Sequence, residues 1–462
     1  MANETQGQAA AAVVTDPARG TGSTRLLILS AITAAMGGLL FGFDTAVISG
    51  VTRAVSAIYA LSPLRLGLTV SSALIGTVLG AIFASMPADR YGRKHTLFVL
   101  AFLYMVSAVG CALAWSWPAL MFFRILGGLG IGGSSVVGPM YIAEISPAEK
   151  RGRLVGLFQF NICTGILLAY CSNYYIGIYV PGSFEWRCKL GVSAIPALLF
   201  GMLLLLIPES PRWLVSQRRE ADALDVLGKI GERNSKQVLN QMIDSRESEG
   251  RQSHARLWSK VHAFPIFLAI SLGVFNQLSG INAILYYIND IFAQAGFNKV
   301  SSDLQAIAVG ATNLLFTMVA MSVIDKLGRK TVLLIGAVGT AVCLSGVALI
   351  FTYGTHRNLL VWLLMAFIAL FSFSQGAVIW VYLSEIFPNS VRAGGASLGS
   401  LAHWLMNALI SGVYPVLAAK SGGKPFAFFA AMMVLQFVVV LYFYPETKAV
   451  ALEEVQNKIA KR

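Results

Sequence analysis

The sequence predicts an all-α integral membrane protein, with twelve transmembrane helices in two six-helix halves and a short cytoplasmic helical domain between them. Three observations predict it. Apolar blocks long enough to cross a bilayer as helices recur along almost the whole chain. Only 12% of the 462 residues are charged, about half the share of a soluble domain. Three motifs of the first half return, in the same order, in the second.

Residues 1–25 are rich in Ala, Gly and Thr, lack a cleavable signal pattern, and read as a disordered cytoplasmic tail. The N-terminal bundle, 26–207, holds spans near 26–49, 64–87, 95–116, 118–142, 153–178 and 187–207. Residues 208–262 turn polar, with Leu214, Ala221, Leu224, Leu227 and Ile230 at helical spacing, so they read as short amphipathic helices on the membrane surface. The C-terminal bundle, 263–444, holds spans near 263–292, 303–324, 331–353, 359–384, 394–419 and 425–444. Residues 445–462 form a short cytoplasmic tail.

The repeat fixes how the halves relate. "DRYGRK" at Asp89 returns as "DKLGRK" at Asp325, 236 positions later. "YIAEISPAEKR" at Tyr141 returns as "YLSEIFPNSVR" at Tyr382, 241 later, and "PESPRW" at Pro208 is echoed by "PETK" at Pro445, 237 later. Three motifs at nearly one offset indicate two six-span halves in the same orientation. Arg90, Arg93, Lys94, Lys150, Arg151, Arg153, Lys326, Arg329 and Lys330 all fall on the side of the polar segment. By the positive-inside rule that side, and both termini, are cytoplasmic.

Several classes are excluded. The net charge of +13 is explained by those basic loops, so no nucleic-acid partner is implied. The five cysteines are scattered in apolar blocks without metal spacing. "LGGLGIGG", Leu126 to Gly133, approaches a dinucleotide-binding loop, but such a loop must follow a strand outside the bilayer. Small residues at this spacing serve close helix packing. No nucleophile–base set, metal cluster or phosphate loop stands in a believable context, so neither an enzyme nor a cofactor is expected.

Interior charges are few: Asp44 and Arg124, with His403 as a possible third. A carboxylate at mid-membrane costs roughly 2.5–3.5 kcal/mol on insertion scales. Arg124 is an available partner for Asp44, and their pairing leaves a neutral site suited to a neutral polyhydroxy substrate. If the two conformations of a transporter differ in that proximity, protonation of Asp44 biases their exchange. The alternative is a permanent structural ion pair. Amides match hydroxyl groups because both donate and accept. The seventh span, "FNQLSGINAILYYIND", supplies Asn276, Gln277, Asn282, Tyr286 and Asn289, with Gly280 able to break the helix. Trp380 and Trp404 offer flat faces for the C–H side of a sugar ring, and His403 and Asn407 complete the candidate set. The competing role for each amide is helix–helix adhesion, worth roughly 0.6 kcal/mol.

The motifs "FGFDTAVISG", "DRYGRK", "RILGGLGIGG", "PESPRWL", "QLSGINAILYY", "DKLGRK", "WVYLSEIFPNSVR" and "PETK" resemble the sugar porter family of the major facilitator superfamily from residue 26 to about 450. The first looks most like bacterial proton–sugar symporters, of the proton–xylose type. The resemblance implies sugar contacts at Gln159, Gln277, Asn282, Asn313, Trp380 and Trp404. It also implies a cytoplasmic latch between halves, formed by Asp89, Arg93, Glu144, Arg151, Arg153, Glu209, Arg212, Asp325, Arg329, Glu385 and Arg392. The competing role for these charges is to anchor the topology at the interface, but their duplication in both halves favours ion pairs that hold the cytoplasmic side shut. Three positions depart from the family pattern. Asn276 replaces the first of two consecutive glutamines, His403 stands where proton–xylose symporters have a glutamine, and "SQGAVIW" of the tenth span lacks the usual proline.

The expected function is therefore proton-coupled symport of a neutral hexose or pentose by alternating access. The expected setting is a bacterial inner membrane and the functional unit a monomer. A facilitative carrier with a structural Asp44 is the alternative. A non-transporting sugar receptor is a remote one, because the tails are short.

Overall fold

The computed structural model describes residues 24–147, 149–180, 182–232, 234–249, 257–387 and 391–448. Most of both expected tails, 1–23 and 449–462, lies outside these residues, as does the side chain of Asp325. Among the described residues the chain is helical, without a strand, and twelve helices are long and apolar enough to cross a membrane. The all-α, twelve-helix expectation holds.

Local chemistry sets the span starts. Ser62 and Ser116 accept the backbone N–H of Arg65 and Ala119, each with a proline in the following first turn. A side-chain acceptor at this position satisfies one of the four N–H groups a helix start leaves open, and proline has no N–H to lose there. Asn298 caps the eighth span in the same way through Ser301. The helices of spans four and five run to Trp117–Ile145 and Arg151–Tyr179, longer than their hydropathy suggests.

Among the spans that break in the described residues are the seventh and the tenth. The seventh is Ala263–Leu278, Ile281–Tyr286 and Ile288–Gln294, with Gly280 at φ +80° between the first two. A side chain at Gly280 is doubly excluded: the left-handed region penalises it, and a Cβ would meet the Phe429 ring at 2.3 Å. The tenth span breaks between Leu359–Phe373 and Gln375–Glu385 although it has no proline there. Ser374 sits at φ −111° and ψ −89°. Its hydroxyl donates back to the Leu370 carbonyl at 2.6 Å, and Gly336 of span nine leaves the room.

Within the halves, glycines set the packing distance. A Cβ at Gly128 of span four would lie 1.9 Å from the Ala73 carbonyl of span two, so the "LGGLGIGG" stripe is where two backbones meet. Helices Pro211–Ser216, Glu220–Lys229 and Ser235–Glu249 form the polar domain. Their Leu214, Val226, Leu227 and Ile230 join a buried cluster with Ile142, Ile145 and Leu204 of the first half. This side is called the linker end below.

Candidate functional site

A cavity of about 100 Å³ lies between the halves, lined by Phe41, Gln159 and Ile162 of the first and by Asn276, Gln277, Asn282, Asn313, Trp380, His403 and Trp404 of the second. No aspartate, glutamate, lysine or arginine is among its lining residues. The break at Gly280 separates Gln277 from Asn282 while leaving both on the cavity, where Asn282 Nδ2 donates to Gln277 Oε1 at 3.0 Å. Phe41 packs edge-on against Trp404, with centroids 5.3 Å apart, so the two halves touch through the site itself. Toward the linker end a second cavity of about 480 Å³ parts the halves, lined mostly by apolar groups such as Val136, Val155, Met321 and Ile324.

Eight of the ten expected substrate residues line the central cavity. Tyr286 and Asn407 do not. Both are buried, and Tyr286 stands beside Thr45, the neighbour of Asp44, and beside Asn407. Asn289 also leaves the set, bonding Asp303 at 2.6 Å near the far end of the molecule. The cavity uses Cys163, Thr317 and Ser372 as well. The Ser372 hydroxyl donates to Asn313 Oδ1 at 2.7 Å, and Cys163 Sγ lies 3.3 Å from Thr317 Oγ1. Sequence reasoning missed these three because short hydroxyls and thiols in spans are ordinarily satisfied by their own helix.

Asp44 and Arg124 come together outside the cavity lining. Arg124 is 2% exposed, lies 3.6 Å from the Asp44 carboxylate, and donates through Nε to the Thr69 carbonyl at 3.0 Å. Asp44 is 28% exposed. The pair is thus a buried cation facing a carboxylate that is only partly buried.

The linker-end charges form two copies of one arrangement. In the first half Arg93 donates to both oxygens of Glu144, the Ser210 hydroxyl donates to Glu144, and Glu209 accepts the backbone N–H groups of Arg93 and Lys94. In the second, Arg329 donates to Glu385 at 2.9 Å, Thr447 donates to Glu385 at 2.6 Å, and Glu446 accepts from the N–H groups of Arg329 and Lys330. Asp89 lies 3.1 Å from Arg93. Arg151 and Arg392 donate to the carbonyls of Ala143 and Phe387. Arg212 joins Asp89, Glu144 and Arg151 around a polar cavity of about 760 Å³ under the linker helices, while Arg153 is exposed. Among the described bonds, each cluster is built inside one half. Glu446, Ser210 and Thr447 escaped the sequence reading, although the "PES"/"PET" repeat contained the signal.

Among the described residues, the ion pairs that cross between halves lie at the opposite end. Arg53 meets Asp290 at 3.1 Å and the Asn289 carbonyl at 2.6 Å. Glu185 sits between Lys189 at 2.7 Å and Lys299 at 2.5 Å. Lys189, only 1% exposed, also donates to the Gly50 carbonyl.

A family profile described as "Sugar (and other) transporter" matches residues 30–459. The chain belongs to the sugar transporter family. Among its relatives is the D-xylose-proton symporter of Escherichia coli K12, 36% identical over 465 residues, covering 92% of this chain and 94% of that one. Another is the arabinose-proton symporter of Bacillus subtilis 168, 35% identical over 444 residues and covering 94% and 95%. A solved structure of the E. coli xylose transporter XylE, described as a partially occluded inward open conformation, superposes with a TM-score of 0.83 at 34% identity, covering 92% of this chain and all of that one. Membership in the sugar transporter family makes the chain a twelve-span transporter of the major facilitator fold rather than an enzyme.

Proposed function

We propose that the chain is a proton-coupled symporter of a neutral monosaccharide, working by alternating access, with Asp44 as the coupling acid beside Arg124. One observation carries this reading: the cavity between the halves is lined by amides and indoles without an ionised group, while the Asp44–Arg124 pair lies off it. A neutral hydroxylated ligand suits such a lining, and the pair is left to carry the proton. When Asp44 is protonated its attraction to Arg124 is lost, and the balance between the two conformations changes with it. The relatives named as proton symporters of xylose and arabinose support the same reading.

The linker end faces the cytoplasm of a bacterial inner membrane, in keeping with its basic residues, and the conformation described is the inward-open one. The pairs Arg53–Asp290 and Glu185–Lys299 hold the outer end shut in this state. The linker-end clusters act within each half as fixed braces, and the monomer is the working unit. The bundles 26–207 and 263–444, with 208–262 between them, are the moving parts.

A facilitative carrier is the second reading, favoured by Asp44 and Arg124 already standing as a pair. Sugar uptake into vesicles with and without an imposed pH gradient separates the two. Symport predicts accumulation that collapses with an uncoupler, and accumulation unchanged by the uncoupler refutes it.

A further inference from the structure

Besides the two crossing ion pairs, the end opposite the linker holds a buried carboxylate, Asp303. It lies one turn into the helix Lys299–Leu327 of the second half and is 3% exposed. Its Oδ1 accepts the Asn289 amide at 2.6 Å, within the same half. A neutral amide supplies a hydrogen bond but no counter-charge, and a buried carboxylate needs both. The counter-charge comes from across the seam.

The place is marked by Gly177 of span five. The position its Cβ would occupy lies 3.6 Å from Asp303 Oδ2, 3.6 Å from Lys189 Nζ and 3.5 Å from Glu185 Oε1. Asp303 belongs to the second half, the other two groups to the first. Lys189 has three N–H groups. Glu185 takes one at 2.7 Å and the Gly50 carbonyl another at 3.2 Å, which leaves the third. Lys189, Lys299 and Glu185 are the charged groups that face Asp303, so cations outnumber anions around it.

The same charges are paired along the chain. Glu185 and Lys189 stand four residues apart on one helix, and Lys299 and Asp303 four apart on another. At this spacing helix side chains are neighbours. The first couple runs from acid to base and the second from base to acid. Docked together, they set Lys299 on Glu185 at 2.5 Å and bring Asp303 to the side of Lys189. Neither half carries a net charge to the seam, and each couple remains whole when the halves part.

We propose that Asp303 is a positioning residue of the outer closure, facing buried Lys189 when this end is shut and pairing with Lys299 of its own helix when it opens. The proposal deepens the alternating-access reading and rests on it. Glu185 alone would be shared by two lysines, leaving the shut seam one positive charge in excess; Asp303 makes the set neutral. Removing either charge of the Lys189–Asp303 couple therefore opens this end, and removing both does not.

The test is a double-mutant cycle on the full chain in proteoliposomes, read as spin-label distances across the end opposite the linker, with sugar counterflow reporting folded carrier. Asp303→Asn keeps an oxygen for the Asn289 amide and loses the charge, and Lys189→Met replaces the ammonium by an apolar chain. Each alone is expected to raise the open-to-shut ratio by about five-fold or more, the top of the range for an exposed pair, because both groups are buried. The double variant is expected to return to within about two-fold of wild type, leaving Glu185 and Lys299 as one neutral pair. Packing lesions predict the reverse, with the two effects adding. Additive effects overturn the proposal, and so does a ratio unchanged in both single variants. If one single variant gives no folded carrier, the other decides against the double: a double variant no nearer wild type than that single overturns the proposal, and a rescued one supports it. A wild type that never shows the open distance, with or without sugar, refutes alternating access, and the proposal falls with it.

Discussion

Replacing Asp44 by Asn keeps the size and hydrogen-bonding capacity of the side chain and removes the charge that a proton would otherwise cancel. At the 3.6 Å separation from Arg124, and with an effective dielectric of about 20, the attraction forfeited is about 4.6 kcal/mol. The figure is a ceiling, because Asp44 keeps 28% of its surface exposed. The driving force is of similar size. One proton crossing about 100 mV contributes about 2.3 kcal/mol, and about one pH unit adds about 1.4 kcal/mol, enough to sustain roughly 500-fold accumulation. Proton occupancy of this one carboxylate is therefore sufficient to bias the conformational exchange. In proteoliposomes with an imposed pH gradient, Asp44→Asn is expected to lose accumulation entirely while retaining counterflow exchange of sugar, because the variant mimics the permanently protonated state. A structural pair predicts something else: Arg124, 2% exposed, loses its counter-charge at a cost of about 3–5 kcal/mol, and folded yield and counterflow fall together. Uncoupler-sensitive accumulation by Asp44→Asn refutes the coupling argument.

Other perturbations address the site and the outer end. Gln277→Ala or Asn282→Ala removes one neutral hydrogen bond to sugar and leaves a neighbouring amide unpaired, so binding measured by tryptophan fluorescence should weaken by about 1–3 kcal/mol with normal membrane insertion; unchanged binding returns these amides to helix adhesion. Glu185→Gln removes the crossing pair with the half-exposed Lys299, and a loss of up to about 1 kcal/mol moves the inward–outward equilibrium up to about five-fold toward the outward-facing state. Spin-label distances across the linker end should then shorten, and an unchanged distribution counts against an outer latch. Gly67→Ala puts a Cβ 1.9 Å from the Gly412 carbonyl of the other half, an overpacking cost of about 1–3 kcal/mol borne only when the outer end closes. Sugar binding from outside should persist while turnover falls about ten-fold or more, and wild-type turnover contradicts this.

Much of the architecture was legible because its causes are local or repeated. Long uncharged runs mark the spans, the "DRYGRK"/"DKLGRK" offset marks the halves, and Gly280 marks the break of span seven. The break of span ten was not legible, since the usual proline is absent and the bend is held instead by Ser374 fitting against Gly336. Of the site, Gln277, Asn282 and Trp404 were readable as polar or flat groups in apolar surroundings. Tyr286 and Asn407 carry the same signal, yet helical phase turns them to the Asp44 side. The pairs Arg53–Asp290 and Glu185–Lys299 join residues far apart in sequence and lying on helices of different halves. No periodicity relates such positions; only the assembled halves do.

The two ends of the molecule handle charge in opposite ways. At the linker end Asp89, Glu144, Glu209, Glu385 and Glu446 take their described bonds inside their own half, so parting the halves there breaks none of those bonds. At the other end Asp290 and Glu185 reach across, and the proposed alternating access has these pairs break and re-form in every turn of the cycle. The electrostatic barrier is thus concentrated on the face that the proposed orientation gives to the medium, where a bacterium has least control of ionic strength. External salt would then act as a lubricant, lowering the resistance of one half-cycle by screening Arg53 and Lys299, while salt in the cytoplasm leaves the enclosed clusters almost untouched.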